Sequence, residues 1–287
     1  MIEIEKLSVF NIDIFREFYD KKYNSLTADK SFFEYYDSEV FIIKYYLRKQ
    51  VHLFKYNNKY IGYIWNEYPI PKKRKCDIFA LYINNQYSNL FDISVFSKIG
   101  ISRFKLSTIS TSSVEDVLKK LNCNYEHTTY VMKIECNNEA FSPNYSNNIS
   151  FKIFERDKDE QLRCTIQNAI FNKAGRIPLT PVDIIYEENE EYYINDFSIF
   201  IKYKNNYIGY GQIIKNGGVY TIVNLGIIPS YRGLGFGNDI IKHLIYVCIT
   251  NKIKEIYIKV DKDNCEAYNL YRKLGFVLEK SYSFWSL

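Results

Sequence analysis

The segment KYNNKYIGY, residues 55–63, returns as KYKNNYIGY at residues 202–210, with seven identities in nine positions. Each copy reads as a strand, an Asn-rich turn and a second strand, which is the pattern of a β-hairpin. The repetition extends beyond the hairpins. ISRFKLSTIS…VEDVLKKLNCNYEHTTYVM (101–132) parallels IKEIYIKVDK…EAYNLYRKLGFVLEKSYSFW (253–285): strand, polar loop, helix, a Lys-Leu exit and a closing hairpin-like stretch. The chain therefore reads as a duplicated unit with two halves of roughly 140 residues, in keeping with usual domain sizes. The polar, proline-containing stretch NNEAFSPNYSNNIS (137–150) reads as the linker. Domains are accordingly expected over 1–140 and 150–287.

Composition narrows the function. Hydrophobic residues at 47% and charged residues at 25% are globular values and argue against disorder. The 28 tyrosines and 20 phenylalanines accompany abundant Ile, Lys and Asn, a codon bias of an AT-rich, bacterial genome rather than a sign of base stacking. A net charge of +5, interspersed along the chain, is too weak to imply nucleic acid. The one dense basic run, PKKRKC (71–76), reads as a solvated turn between strands. Six cysteines without a CxxC pair and three scattered histidines (His52, His127, His243) give neither a zinc nor a redox motif, so no metal is expected. No apolar stretch approaches membrane-spanning length. MIEIEKLSVF is not a secretory leader, so a cytoplasmic protein with free thiols is expected, as monomer or homodimer.

The second half opens with FKIFERDKDEQLRCTIQNAIFNKAG, a strand and then a helix, with Asp157 as N-cap and Gly175 as stop. Further on, three of the chain's 12 glycines fall at 233, 235 and 237, inside YRGLGFGNDI. VYTIVNLGII (219–228) is apolar and β-branched, a buried strand that Pro229 ends. After the glycines, Ile240, Ile241, Leu244, Ile245, Val247 and Cys248 recur at helical spacing. The glycines thus occupy a strand-to-helix turn, where free amides and the helix dipole favour an anion. Bare backbone lets a phosphate approach without meeting a Cβ, and Arg232 adds a cation. The spacing is neither GxxxxGK[ST] nor GxGxxG, since residue 238 is Asn. A tight turn with glycines only for packing is the alternative.

These residues resemble the GNAT acetyltransferases, whose acyl-CoA loop reads Q/R-x-x-G-x-G/A. The match runs through Arg232, Gly233, Leu234, Gly235, Phe236 and Gly237. The family's second landmark comes later, in DNCEAYNLYRKLGF, with Asn264, Ala267, Leu270, Tyr271, Gly275 and Phe276. The resemblance covers roughly 150–287. It implies an α/β fold of two tandem GNAT-like domains, each a mixed, mostly antiparallel twisted sheet flanked by helices.

The implied activity is transfer of an acetyl group from acetyl-CoA to a primary amine of a small molecule. A non-catalytic acyl-CoA-binding module and a protein or peptide N-acetyltransferase are the alternatives. By the same resemblance, the 232–238 loop, from Arg232 to Asn238, holds the pyrophosphate, and Leu225, Gly226 and Ile227 offer backbone to the pantetheine. The Ile227 amide polarises the thioester, Asn264 contacts the cofactor arm or caps its helix, and Tyr271 protonates the leaving thiolate. The pattern fails at the general base. Many members carry Glu on the strand before the loop, where this chain has Thr221 and Val223. A base would have to come from the EENEE run (187–191), from Asp196 or from the Leu287 carboxylate, unless the amine arrives uncharged. The first half has INNQYSNLFDI in place of the glycine loop and Lys119 in place of Tyr271, so it is expected to be degenerate.

Overall fold

The computed structural model describes residues 1–22, 32–67, 75–110, 112–136 and 143–287. Most of the PKKRKC run and the first part of the 137–150 linker lie outside the described residues. The chain forms two compact units: Met1–Thr129 with Ser281–Leu287, and Tyr130–Lys280.

The first unit contains β1 (Glu3–Lys6), α1 (Ile12–Lys22), α2 (Phe32–Ser38), α3 (Phe41–Arg48), β2 (Val51–Tyr56), β3 (Lys59–Asn66), β4 (Lys75–Ile83), α4 (Ile93–Lys98), β5 (Arg103–Ile109) and α5 (Ser112–Lys120). Its sheet runs β1-β2-β3-β4-β5, antiparallel except for the parallel pair β4–β5. Beyond β5 lies the end of the chain: Tyr282–Ser286, from β12 (Val277–Ser286), pair antiparallel with Lys105–Ile109.

The second unit repeats this plan. It contains β7 (Ile149–Ile153), α6 (Glu160–Ile170), α7 (Pro181–Glu188), β8 (Ser198–Tyr203), β9 (Asn206–Asn216), β10 (Val219–Ile227), α8 (Phe236–Thr250), β11 (Glu255–Asp261) and α9 (Cys265–Lys273). The order is β7-β8-β9-β10-β11, antiparallel up to a parallel β10–β11 pair. Its sixth strand is the later part of β6 (Asn124–Glu135), beside β11, where the Cys136 amide donates to the Lys254 carbonyl at 2.7 Å. Each unit is thus a mixed, mostly antiparallel twisted sheet flanked by helices.

The two repeated hairpins are β2–β3 and β8–β9. Asn57 (φ 47°) and Asn58 (φ 61°) make the first turn left-handed, as Lys204 (φ 54°) does in the second; Asn adopts that region more readily than most residues. Both hairpins carry an irregularity at the same step, between Phe54 and Lys55 and between Ile201 and Lys202.

In the second unit, Ile240, Ile241, Leu244, Ile245 and Cys248 of α8 are buried against Ile208, Ile213, Ile222, Ile256 and Ile258 of the sheet, while Val247 is only part-buried. The helical spacing read from the sequence is therefore the packed face. Helix α6 starts later than Asp157. That residue sits in a turn at φ 62°, and the carboxylate of Asp159 points back to the Lys152 ammonium (2.6 Å) and the Glu155 amide (2.9 Å) instead of capping the helix.

Trp285, 2% exposed, packs in the core of the first unit with Phe104 and Leu106 and donates Nε1–H to Ser283 Oγ at 2.8 Å. Trp285→Ala should cost about 3–5 kcal/mol. Urea unfolding followed by the fluorescence of Trp65 should show the loss in the first unit, although the substitution lies at the far end of the sequence.

Candidate active site at the diverging strands

The site begins as a defect in a sheet. β10 and β11 pair only at Thr221↔Tyr257 and Ile222↔Ile258, although β10 continues to Ile227 and β11 to Asp261. Past Ile222 the two strands diverge, which leaves backbone groups of β10 available to a ligand. On its other side β10 pairs with β9, and the register slips between Val223 and Gly226. Asn224 carries the irregularity at φ 54°. Such a bulge adds local twist and re-aims the strand.

Close packing fixes the strand end. A Cβ on Gly226 would lie 2.2 Å from Ile170 Cγ2, so α6 rests directly on this backbone. Opposite, a Cβ on Gly209 would meet the Gly226 carbonyl at 2.5 Å. Leu225 is part-buried in the core beside Gly211, and Ile227 is buried.

After a short 3₁₀ turn at Pro229–Tyr231 comes the glycine loop. Gly233 (φ 75°) and Gly235 (φ 88°) both lie in the left-handed region, with nothing within 4 Å of where a Cβ would be. Gly235 is the N-cap of α8 and supplies no side chain to cap it. Among the described residues, the amides of 233–235 have no acceptor, whereas Asn238 N–H bonds the Gly235 carbonyl at 2.9 Å. Phe236 and Gly237 open the first turn of α8, where amides lack a carbonyl one turn earlier in the helix. Leu234 is exposed at the tip, while Phe236 is buried against the ring of Tyr203, centroids 5.0 Å apart, and anchors the loop. The result is an open, amide-lined helix start.

Arg232 has a different role from a free cation at the rim. Its Nε donates to the Ile227 carbonyl (2.9 Å) and its Nη2 to the Ile170 carbonyl (2.6 Å). It ties the end of β10 to the carboxyl end of α6, where a cation also meets the helix dipole favourably. Asn264 caps α9, its Oδ1 accepting from the Ala267 amide at 3.1 Å. Tyr271, further along α9, is buried with its ring beside Phe276, and its hydroxyl has no hydrogen-bond partner among the described residues. Burial pushes the phenol up to about 12, so it holds its proton through the neutral range.

The acidic run is not a solvated helix end throughout. Glu190 and Glu191 are exposed, but Glu187 and Glu188, in the last turn of α7, turn inward. Glu187 Oε2 accepts from Arg163 Nη2 at 2.5 Å, and its Oε1 accepts from Gln212 Nε2 (3.2 Å) and Asn224 Nδ2 (3.4 Å). Arg163 is fully buried, also donates to Gln212 Oε1 (2.9 Å), and lies 4.9 Å from the Tyr210 ring centroid. The Tyr210 hydroxyl donates to the same Gln212 oxygen at 3.2 Å. A buried ion pair thus holds the side chain of the bulge residue. Burial, followed by repulsion from Glu160, raises the Glu188 carboxyl above its ordinary value.

Of the other base candidates, Asp196 is exposed in a 3₁₀ turn. Leu287 belongs to the first unit, bonded through its backbone to Phe104 in both directions. Thr221 and Val223 are part-buried on β10.

Sequence reasoning missed Arg163, Tyr210, Gln212 and Asn224. Two signals were present: an arginine within the apolar face of EQLRCTIQNAI and a glutamine inside the apolar run YIGYGQII. Among the described residues, no cluster of His, Cys, Asp and Glu is arranged to hold a metal, and no helix is long and apolar enough to cross a membrane.

Residues 166–276 match the family model described as the acetyltransferase (GNAT) family. A 56-residue stretch is 32% identical to the [ribosomal protein bS18]-alanine N-acetyltransferase of Haemophilus influenzae, covering 20% of this chain and 38% of that protein's length. A GCN5-related N-acetyltransferase from Sphaerobacter thermophilus superposes with a TM-score of 0.64 at 14% identity, over 83% of this chain and 80% of the other. A tandem GNAT protein from the clavulanic acid biosynthesis pathway gives 0.54 at 8% identity, over 83% and 82%. The fold is that of the GNAT superfamily.

Removing Glu187 strands a buried guanidinium, a loss of about 3 kcal/mol by the usual cost of breaking such a pair. Glu187→Ala should therefore be clearly less stable than the parent in urea denaturation. The double variant Arg163→Met/Glu187→Ala should regain part of that stability, because no uncompensated charge remains.

Proposed function

We propose that this chain is an acetyl-CoA-dependent N-acetyltransferase acting on a primary amine of a small molecule, with its site in the second of two tandem GNAT-like domains. The observation that carries the reading is the opening between β10 and β11 beside the uncapped, glycine-lined start of α8. The amides of 233–237 hold the pyrophosphate, with Asn238 at the rim. The backbone of Leu225, Gly226 and Ile227 pairs with the pantetheine, and the Ile227 amide polarises the thioester carbonyl. Arg232 acts by fixing that backbone, and Asn264 by fixing α9.

In the reaction, the neutral amine nitrogen attacks the thioester carbon and the C–S bond breaks. The leaving sulfur takes the hydroxyl proton of Tyr271, the amide nitrogen releases its proton to water, and the Tyr271 phenolate takes a proton back from water. Glu187 is engaged by Arg163, Gln212 and Asn224; it orients Asn224 at the bulge.

The first domain is read as a degenerate copy, the repeats at 1–140 and 150–287 differing from the compact units only by their last strands. Its corresponding helix, α4, is short and is capped by Asp92, whose carboxylate accepts from the Ser94 amide at 2.8 Å. An anion already occupies that helix start, which disfavours a phosphate there. A second reading, acetylation of a protein N-terminus, rests on the 56-residue match to the alanine N-acetyltransferase.

Calorimetric titration should give one acetyl-CoA per chain. Gly235→Asp should abolish it, because the position needs φ 88° and the carboxylate would face the phosphates; binding undiminished by that change would remove the proposed cradle. Turnover with a panel of small amines and alanyl peptides separates the two readings by kcat/KM. Tyr271→Phe should lower kcat by about 10²-fold, the lower end for general acid catalysis, with little change in acetyl-CoA affinity. In the parent, kcat/KM for the amine should rise with pH up to the acceptor's own pKa, since the amine must arrive unprotonated and Tyr271 keeps its proton to about 12.

A further inference from the structure

The first unit holds a cavity of about 630 Å³ that acetyl transfer leaves unused. It opens where β1, β2, the end of α3 and the end of α4 meet, and three lysines line it: Lys6, Lys49 and Lys98. Ile2, Ile4 and Ile99 make its apolar lining.

The volume falls in the range that accommodates a small organic ligand. In the second unit the corresponding place on the sheet is filled. There α8 has 15 residues, and its His243 stacks on Phe151 of β7 with ring centroids 3.8 Å apart. Helix α4 has six residues and stops short, so the same part of the first sheet, next to β1, remains uncovered.

His52 makes the cavity more than a gap. It lies opposite Lys6 in the β1–β2 ladder, is 7% exposed, and lines the cavity with its Nδ1 buried and without a hydrogen-bond partner. Burial and the neighbouring charge of Lys6 hold the imidazole down to about 4, so at neutral pH the ring carries no charge and offers one N–H.

Lys6 and Lys98 are exposed, and no carboxylate is in ion-pair contact with either among the described residues. Lys49 also lies over the Tyr45 ring at 4.3 Å, so its charge is partly engaged there. The carbonyls at the α4 end do not oppose an anion strongly. Gly100, at φ 83°, folds the chain back so that its own amide and that of Ile101 bond Ser97 and Phe96, each at 3.0 Å.

We propose that this cavity is a second ligand site, for a small organic anion that carries an apolar group, such as a phosphate monoester or a carboxylate. Lys6 and Lys98 neutralise the anionic head, the neutral His52 ring lies in the wall beside it, and the isoleucine lining takes the apolar body.

Phenyl phosphate is the probe, with benzoate, inorganic phosphate and acetate beside it. Imidazole resonances of the full chain are followed by heteronuclear NMR, where His52 is one of only three histidines. Phenyl phosphate should shift the His52 signals saturably while leaving those of His127 and His243 in place. Inorganic phosphate and acetate, lacking the apolar part, should bind more weakly than phenyl phosphate and benzoate respectively. Comparing phenyl phosphate with benzoate identifies which head group the site prefers. Lys6→Ala and Lys98→Ala, both surface changes, should each weaken the probe by about tenfold, equivalent to a 1.4 kcal/mol contact. Saturating acetyl-CoA should leave the titration unchanged, so the result stands or falls separately from acetyl transfer. Unmoved His52 signals, unchanged affinity in both lysine variants, or displacement of the probe by acetyl-CoA would overturn the proposal.

Discussion

The candidate site depends on a single break in regular pairing. β10 and β11 give up their ladder after Ile222 and Ile258, and the register slip at Asn224 lets β10 turn while it stays bonded to β9. A strand with unpaired backbone is costly unless something rigid holds it and something else uses it. Rigidity comes from α6, seated on Gly226 with no room for a side chain, and from Arg232, which bonds both Ile227 and Ile170. The polar network of Arg163, Glu187 and Gln212 then fixes Asn224 itself. Chemistry at the thioester needs this geometry before any reactive side chain matters, because a misplaced donor contributes little to transition-state stabilisation.

The glycine loop and the buried ion pair act on opposite sides of that break. At the loop, left-handed glycines and an uncapped helix leave donors facing outward, suited to a ligand of high negative charge. At the pair, donors and acceptors are satisfied inward, and the charges neutralise one another. Glu187 positions the bulge residue through Asn224. On the proposed reading, an amine that arrives unprotonated removes the need for a dedicated base, where this chain has Thr221 and Val223.

The two units show how one plan can diverge in use. Strand order, the parallel pair and even the irregular step in the hairpin are kept. What changed is the helix after the fourth strand. In the second unit it is long and begins at glycine; in the first it is short and begins at Asp92. The Asp92 carboxylate caps the shorter helix, and the lysine-lined cavity around His52 lies by that helix's end.

By itself the sequence determined the hairpins, the buried strand at 219–228, the packed face of α8 and the glycine turn. These are set by periodicity and by turn residues, which act over a few positions and can be read locally. Arg232, Asn264 and Tyr271 stood out instead through the two motifs that resemble the GNAT acetyltransferases. Only the tertiary structure decided that Trp285 completes the core of the first unit, that Arg232 binds backbone carbonyls, and that half of the EENEE run turns inward to Arg163. Each of these is a meeting of residues distant in sequence. Its outcome depends on which neighbours desolvate a charge or accept its hydrogen bonds, and no local pattern carries that information.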